Sequence, residues 1–193
     1  MERGAPPETV FKDDAFAIRW GQNWGIPHYR WDVLREHGFS WWRRRIKKLT
    51  DVFQIFRVDH ILGFYRIFSF PWRPERNAEF LTLDPEEAKE RTGGRLPRFL
   101  PNDDDTPENC AANLAAGDEY LRMVLEAAGE SEVVGEDLGA VPDYVRPHLL
   151  EIGIGGYKIC HWEVTTHKTG LEHPISGADY EECSFATYAT HDH

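Results

Sequence analysis

An α/β fold organised on a parallel sheet is what this sequence predicts, and three observations carry the prediction. Short apolar runs of strand type recur with helix-period segments between them, the pattern of β-α-β units. Each run ends in polar residues: Arg57, Asp59 and His60 after the first, Glu136 and Asp137 after the second, Trp162 in the third, His191 and Asp192 after the last. In barrels and open α/β sheets ligands bind beyond the carboxyl ends of the strands, so residues distant in sequence converge there. About four strands are legible, roughly half of what a closed eight-stranded barrel needs.

Residues 4–31 carry Pro6, Pro7, Gly21, Gly25 and Pro27 among Phe11, Phe16, Trp20, Trp24, Tyr29 and Trp31, which reads as a long aromatic loop. Its segment Gly21-Gln22-Asn23-Trp24-Gly25 offers glycines that let a backbone approach a ligand, amides that bond it and an indole that stacks. A tryptophan that only anchors the loop fits equally well. From Asp32 to about Val52, Trp42, Ile46, Leu49 and Phe53 recur every three or four residues while Arg43, Arg44, Arg45, Lys47 and Lys48 fill the other side, so a surface helix leads into the first strand.

That strand lies in Gln54–Phe64, where Ile55, Phe56 and Val58 suit burial on both faces. Arg57 and Asp59 interrupt the run, and charges in such a setting are kept in pairs. Residues two apart on a strand share a face, so the guanidinium can hold the carboxylate ionised. This is either a structural ion pair or an activated nucleophile.

After the aromatic segment Tyr65–Trp72, residues 73–116 lack sustained periodicity and read as an inserted excursion with short helices near 84–91 and 107–116; such excursions carry binding function. Asp103-Asp104-Asp105 reads as a solvated turn, since the spacing of a calcium loop is missing. Gly117–Gly129 is an amphipathic helix closed by glycine, Glu132–Gly139 a strand, Pro142 to about Leu150 a helix opened by proline, and Tyr157–Glu163 a further strand. Residues 164–183 form a polar loop, and Ser184–Thr190 is the last strand.

The 193 residues are 41% hydrophobic and 13% aromatic, which suits a packed core. The formal charge of −11 argues against nucleic acid and anionic membrane and suits a neutral ligand. Cys110, Cys160 and Cys183 show neither disulfide nor zinc spacing. No secretory leader or membrane-length apolar run is visible, so a soluble, cytoplasmic protein is expected. The chain stops at His193 directly after an apolar-rich run, which reads as part of a longer protein.

Three carboxylates at three strand ends, an arginine beside the first and a histidine beside the last, suit glycosidic-bond chemistry. Retaining enzymes need an ionised nucleophile and a protonated acid on opposite sides of the anomeric carbon. Asp59 beside Arg57 is the candidate nucleophile. Glu136, in apolar company and next to Asp137, is the candidate acid, its pKa expected to be raised by both. Asp192 would bind sugar hydroxyls, with His60 and His191 as donors, and Trp24, Tyr65 and Trp162 are candidate stacking rings.

Arg57-Val58-Asp59-His60, Gly135-Glu136-Asp137-Leu138-Gly139 and Thr190-His191-Asp192, in this order, resemble the strand-four, strand-five and strand-seven motifs of the 4-alpha-glucanotransferases, or amylomaltases. Gly4-Ala5-Pro6-Pro7 with Gly21–Pro27 resembles that family's preceding active-site loop, placing Gln22, Asn23 and Trp24 among the substrate contacts. The resemblance covers essentially the whole chain. It implies a (β/α)₈ TIM barrel of which residues 1–193 are strands four to seven, with 1–31 as active-site loop and 73–116 as insertion. It further implies a retaining double displacement on α-1,4-glucans or maltooligosaccharides, with Asp59 as nucleophile, Glu136 as acid and base and Asp192 as transition-state stabiliser. No metal or organic cofactor is implied, and the partner still to be supplied is the remainder of the barrel. Two alternatives stand beside it. One is a metal-dependent hydrolase using Asp59, His60, Glu136, His191, Asp192 and His193 for zinc or manganese; the other is an inactive glucan-binding fragment.

Overall fold

The structure, a computed structural model, describes residues 1–9, 12–166 and 170–190. Its elements in chain order are β1 (Glu2–Ala5), α1 (Ala15–Trp20), β2 (Gln22–Pro27), α2 (Trp31–Glu36), α3 (Ser40–Thr50), β3 (Ile55–Val58), β4 (Ile67–Phe70), α4 (Asn77–Leu81), α5 (Pro85–Arg91) and β5 (Arg98–Leu100). There follow α6 (Pro107–Ala128), β6 (Glu132–Gly135), α7 (Val145–Glu151), β7 (Gly156–Ile159), β8 (Val164–Thr166), β9 (Glu172–Pro174) and β10 (Ser184–Thr187). They fall into two compact units, one of Met1–Ser40 with Gly63–Gly117 and one of Trp41–Leu62 with Asp118–His193.

The first unit holds an antiparallel sheet in the order β2-β1-β4-β5. Residues 4–31, expected to be loop, thus supply strand residues: β2 pairs with β1, and β1 pairs with β4 across more than sixty positions of sequence, as in Gly4↔Phe68. The register of β1 against β2 slips between Arg3 and Gly4, and Gly25 takes a φ of 68°. The extra residues of this bulge leave Trp24 38% exposed. Behind the sheet lies an aromatic core in which Trp72 stacks flat on Phe80 at 3.8 Å and Trp20 donates its indole N–H to the Phe80 carbonyl at 2.9 Å.

The single helix expected from Asp32 to Val52 is two, because Gly38 and Phe39 turn left-handed between them. The excursion carries α5 as expected. Asp84 accepts from the Glu86 and Glu87 amides while Glu87 reaches back to the Asp84 N–H, a complete capping box. The Asp103–Asp105 turn is not merely solvated. Asp103 accepts from Phe99 N–H, Asp105 from Asn109, and Asp104 pairs with Arg66 and accepts from Asn113 at 3.0 Å.

Two expected helices, 107–116 and 117–129, are one. Thr106 caps it, its hydroxyl accepting from Asn109 N–H at 3.1 Å. Gly117 is therefore a helix-interior residue, and its reason is space: an added Cβ would fall 2.2 Å from the Tyr65 ring.

The second unit is parallel. β3 pairs with β6 in the register Ile55↔Glu132 to Val58↔Gly135, β7 pairs with β10, and a single parallel bridge, Val134↔Gly155, joins β6 to β7. The order β3-β6-β7-β10 follows the sequence, as successive β-α units require. The polar loop of 164–183 contains the antiparallel pair β8 and β9. Phe56 and Val58 are buried but Ile55 is 51% exposed, so β3 buries one face rather than the two expected. α7 begins at Val145, Pro142 serving instead in the turn before it, where its carbonyl accepts from Val145 N–H.

His148 of α7 is buried and bonds Asp118 of α6 at 2.9 Å, and Arg122 bonds the same carboxylate at 2.7 Å. The His148 contact, with Arg122 beside it, holds the Asp118 carboxyl below the usual carboxylate range. A lowered folded-state pKa stabilises the fold above the unfolded value of ~3.9 and ceases to do so as the pH falls through the folded one. Asp118→Asn therefore lowers the urea midpoint at pH 7, modestly because the carboxylate is partly exposed, and the difference from wild type closes in strong acid. An equal difference at both pH values would show that this pairing carries no charge-linked stability.

Candidate active site

Alternation along two paired strands builds the site. In β3, Phe56 and Val58 face the core, so Arg57 and, beyond the strand end, Asp59 face the other way. Val58 pairs with Gly135, which sets Glu136 at the level of Asp59, both just past the carboxyl ends of parallel strands. Gly135 is required by close approach, since a Cβ there would lie 2.5 Å from buried Ile61.

Arg57 joins the two carboxylates. Its Nη2 lies 2.6 Å from Asp59 Oδ1 and 2.8 Å from Glu136 Oε1. That nitrogen is buried and short of a well-aligned hydrogen bond to either, so it holds both by charge. The two oxygens are therefore no more than about 5.4 Å apart, the sum of those distances; carboxyl groups of retaining enzymes stand about 5 to 5.5 Å apart, and those of inverting ones roughly 6.5 Å or more. The carboxylates differ in exposure, with the Asp59 side chain 74% open and that of Glu136 12%.

His60 completes the grip with its backbone. At a φ of 44°, unusual for a residue with a Cβ, it donates its N–H to Glu136 Oε2 at 2.7 Å. The main chain of Glu136 is fixed as well, its N–H donating to Val58 O and its carbonyl accepting from Ile61 N–H, both at 3.0 Å. The company of Glu136 thus includes a cation, a backbone donor and the Asp59 carboxylate, while Asp137, the neighbouring acid expected from sequence, bonds elsewhere.

Asp137 points to the other side, as the next residue along an extended chain does. Its side chain is 4% exposed, and it accepts from Tyr157 N–H at 2.7 Å and from Arg146 Nε at 2.8 Å. The Tyr157 ring lies 5.9 Å from the Arg57 guanidinium carbon and meets Phe185 edge-on at 5.4 Å. Burial pushes the Tyr157 phenol up, opposed by Arg57 and reinforced by Glu136. Sequence reasoning missed Tyr157, whose place follows only from the β7 register, and mistook the direction of Asp137, which strand alternation would have given.

The other predicted residues are distributed as follows. Trp162 follows β7, 47% exposed, with its indole against His161 at 5.3 Å. Gln22, Asn23 and Trp24 lie on β2 in the first unit. The Asn23 amide donates to Trp72 O and Asn77 Oδ1, so it braces the bulge, and Gln22 Oε1 accepts from the Trp24 indole at 3.4 Å. Tyr65 is 1% exposed and packs on Gly117, which makes its ring a core element and not a stacking platform. His191, Asp192 and His193 lie outside the described residues. Among the described residues, no three His, Cys, Asp or Glu side chains gather as a metal site requires, and no helix is long and apolar enough to cross a membrane.

A parallel α/β unit with two carboxylates at its strand ends, one oxygen of each no more than about 5.4 Å apart through a shared arginine nitrogen, suits the class of enzymes that break and remake glycosidic bonds. Comparison with known proteins narrows the class. The family model described as 4-alpha-glucanotransferase matches residues 1–193, and the chain belongs to that family. It is 29% identical over 189 residues to the 4-alpha-glucanotransferase of Chlamydia caviae, covering 98% of this chain and 29% of that protein. It is 27% identical over 179 residues to that of Thermus thermophilus, covering 93% and 29%. The chain thus spans under a third of the length of these relatives. Among solved structures, the amylomaltase of Corynebacterium glutamicum is similar with a TM-score of 0.57 and 25% identity, covering 99% of this chain and 22% of that one. The amylomaltase of Streptococcus agalactiae in complex with acarbose is similar in fold, with a TM-score of 0.58 and 24% identity, covering all of this chain and 31% of that one.

Proposed function

We propose that this chain is the catalytic part of a 4-alpha-glucanotransferase that moves α-1,4-glucan segments to the 4-hydroxyl of an acceptor sugar by a retaining double displacement. One observation carries the mechanism: Arg57 brings the Asp59 and Glu136 carboxylates together, one oxygen of each within 2.8 Å of its Nη2, a closeness that supports the retaining pairing over the wider inverting one. In the first step Glu136 protonates the glycosidic oxygen as Asp59 Oδ attacks the anomeric carbon; the leaving sugar departs and a covalent glucosyl ester remains. In the second, ionised Glu136 takes the proton from an acceptor 4-hydroxyl, whose oxygen displaces Asp59 and restores the α linkage. As charge leaves Asp59 on ester formation, Arg57 keeps Glu136 as its counter-ion, and the His60 amide holds the acid in place. Asp192 and His191 are proposed for the oxocarbenium-like centre and sugar hydroxyls, and Trp24 and Trp162 for stacking.

In this reading residues 1–193 belong to one catalytic (β/α)₈ barrel, with β3, β6, β7 and β10 as its strands four to seven; the sequential parallel order supports it. Residues 1–31, which fold as β1, α1 and β2, are proposed as its active-site segment and 73–116 as its insertion. The three thiols are free, in keeping with a reducing cytoplasm. The test is product analysis with the full-length protein and maltotriose. Glucose together with chains longer than the donor, formed undiminished after exhaustive chelation, is expected. Glucose and maltose without longer chains would make the protein a hydrolase, and loss of activity on chelation would favour the metal-dependent alternative.

A further inference from the structure

We infer that Asp137 is a positioning residue: its buried carboxylate substitutes for a missing rung between β6 and β7 and so seats Tyr157 under the arginine that holds both catalytic carboxylates. The inference rests on the retaining reading above.

The argument starts from the ladder. β6 and β7 are joined by the Val134↔Gly155 bridge, with Gly135 N–H donating to Gly155 O at 2.8 Å. Alternate residues of β7 face β6, so after Gly155 the next is Tyr157, but the β6–β7 pairing ends at that single bridge and no backbone bond from Tyr157 N–H to β6 is made among the described residues. Tyr157 N–H would then lack its strand acceptor. Asp137 Oδ1 takes that place at 2.7 Å, while Oδ2 is held by Arg146 Nε at 2.8 Å. The fit is close: a Cβ on Gly156 would lie 2.8 Å from Oδ2, so glycine at 156 makes room for the carboxylate.

Beyond the amide, the Tyr157 ring sits between Phe185, its register partner on β10, and the Arg57 guanidinium. Arg57 stands midway between Asp59 and Glu136, with its shared nitrogen aligned to neither. A guanidinium so placed is free to swing to one carboxylate unless its face is supported, and an aromatic face is a support of suitable kind. The chain of action thus runs from Asp137 to the Tyr157 amide, from the ring to Arg57, and from Arg57 to the charge balance between nucleophile and acid.

The experiment uses the full-length protein with Asp137→Asn, which keeps an acceptor for Tyr157 N–H, and Asp137→Leu, which removes it. Transfer kinetics on maltotriose and their pH profiles are read beside hydrogen exchange at the Tyr157 amide. For Asp137→Leu we expect at least a tenfold fall in kcat with KM within about twofold, a displaced pH profile and a Tyr157 amide exchanging at least a hundredfold faster. Asp137→Asn should restore kcat to within about threefold and keep the amide protected. If Asp137→Leu does not fold, Asp137→Glu replaces it: its longer side chain, crowded by Gly156, moves the oxygen off the amide and should give the same losses. Wild-type kcat and pH profile in the Leu or Glu variant, or an Asn variant as impaired as Leu, would overturn the inference. A wild-type protein that exchanges slowly at Tyr157 but transfers no glucan would instead overturn the reading on which it rests, and the amide measurement keeps the two failures apart.

Discussion

Glu136→Gln in the full-length protein lowers transfer from maltotriose by roughly 10²- to 10⁴-fold, the usual contribution of a positioned acid–base group. The amide has the shape of the carboxyl but carries no transferable proton. Each Glu136 oxygen also faces a donor, Arg57 on one side and the His60 amide on the other. A glutamine must turn its NH₂ toward one of them, so the variant loses a contact as well as a proton. The informative measurement is the first half-reaction with an α-maltosyl fluoride donor, whose leaving group departs without protonation. Glu136→Gln should retain most of that step, whereas Asp59→Asn, deprived of its nucleophile, should lose it with either donor. Equal loss on both donors in the glutamine variant would remove Glu136 from the acid role.

Phe80→Ala is expected to destabilise by about 3–5 kcal/mol, the range for emptying a large buried aromatic site. Phe80 is fully buried, and its ring stacks on Trp72, which in turn meets Trp20 and Phe70 edge-on. Few atoms can move into the space, because Trp72 is fixed by its indole N–H on Asn77 and Trp20 by its own on the Phe80 carbonyl. Natural domains have about 5–15 kcal/mol in total, so the loss is a large share. Urea unfolding followed by tryptophan fluorescence reads it directly. A shift worth less than about 1 kcal/mol would mean that this cluster does not bear the stability of its unit.

Sequence carried the pairing of Arg57 with Asp59 because it depends only on the two-residue period of a strand, and it carried Glu136 because β6 ends as β3 does. Helix α5 was legible for the same local reason, its Asp84, Pro85 and Glu87 lying within one turn. The strands of the first unit were not. Glu-Arg-Gly-Ala and Gln-Asn-Trp-Gly-Ile-Pro have little strand propensity, and pairing with β4 and with each other makes them strands. Gly117 misled in the opposite direction: a glycine signals a helix end by propensity, but here the buried Tyr65 ring needs its missing side chain. Nor could any pattern show that Asn23 would spend its amide on Trp72 and Asn77, or that His60 would act through its main chain, since both depend on partners far away in sequence.

The left-handed turn at His60 also bears on how this protein can be improved. A glycine would adopt that conformation without strain, so selection for thermal tolerance alone would favour it. The same glycine would keep the N–H that Glu136 accepts but widen the range of that backbone, and so loosen the direction in which the Glu136 carboxyl is held. At this one position durability and competence are opposing demands, so an engineered increase in hardiness is better sought in the aromatic core of the first unit than beside the carboxylates.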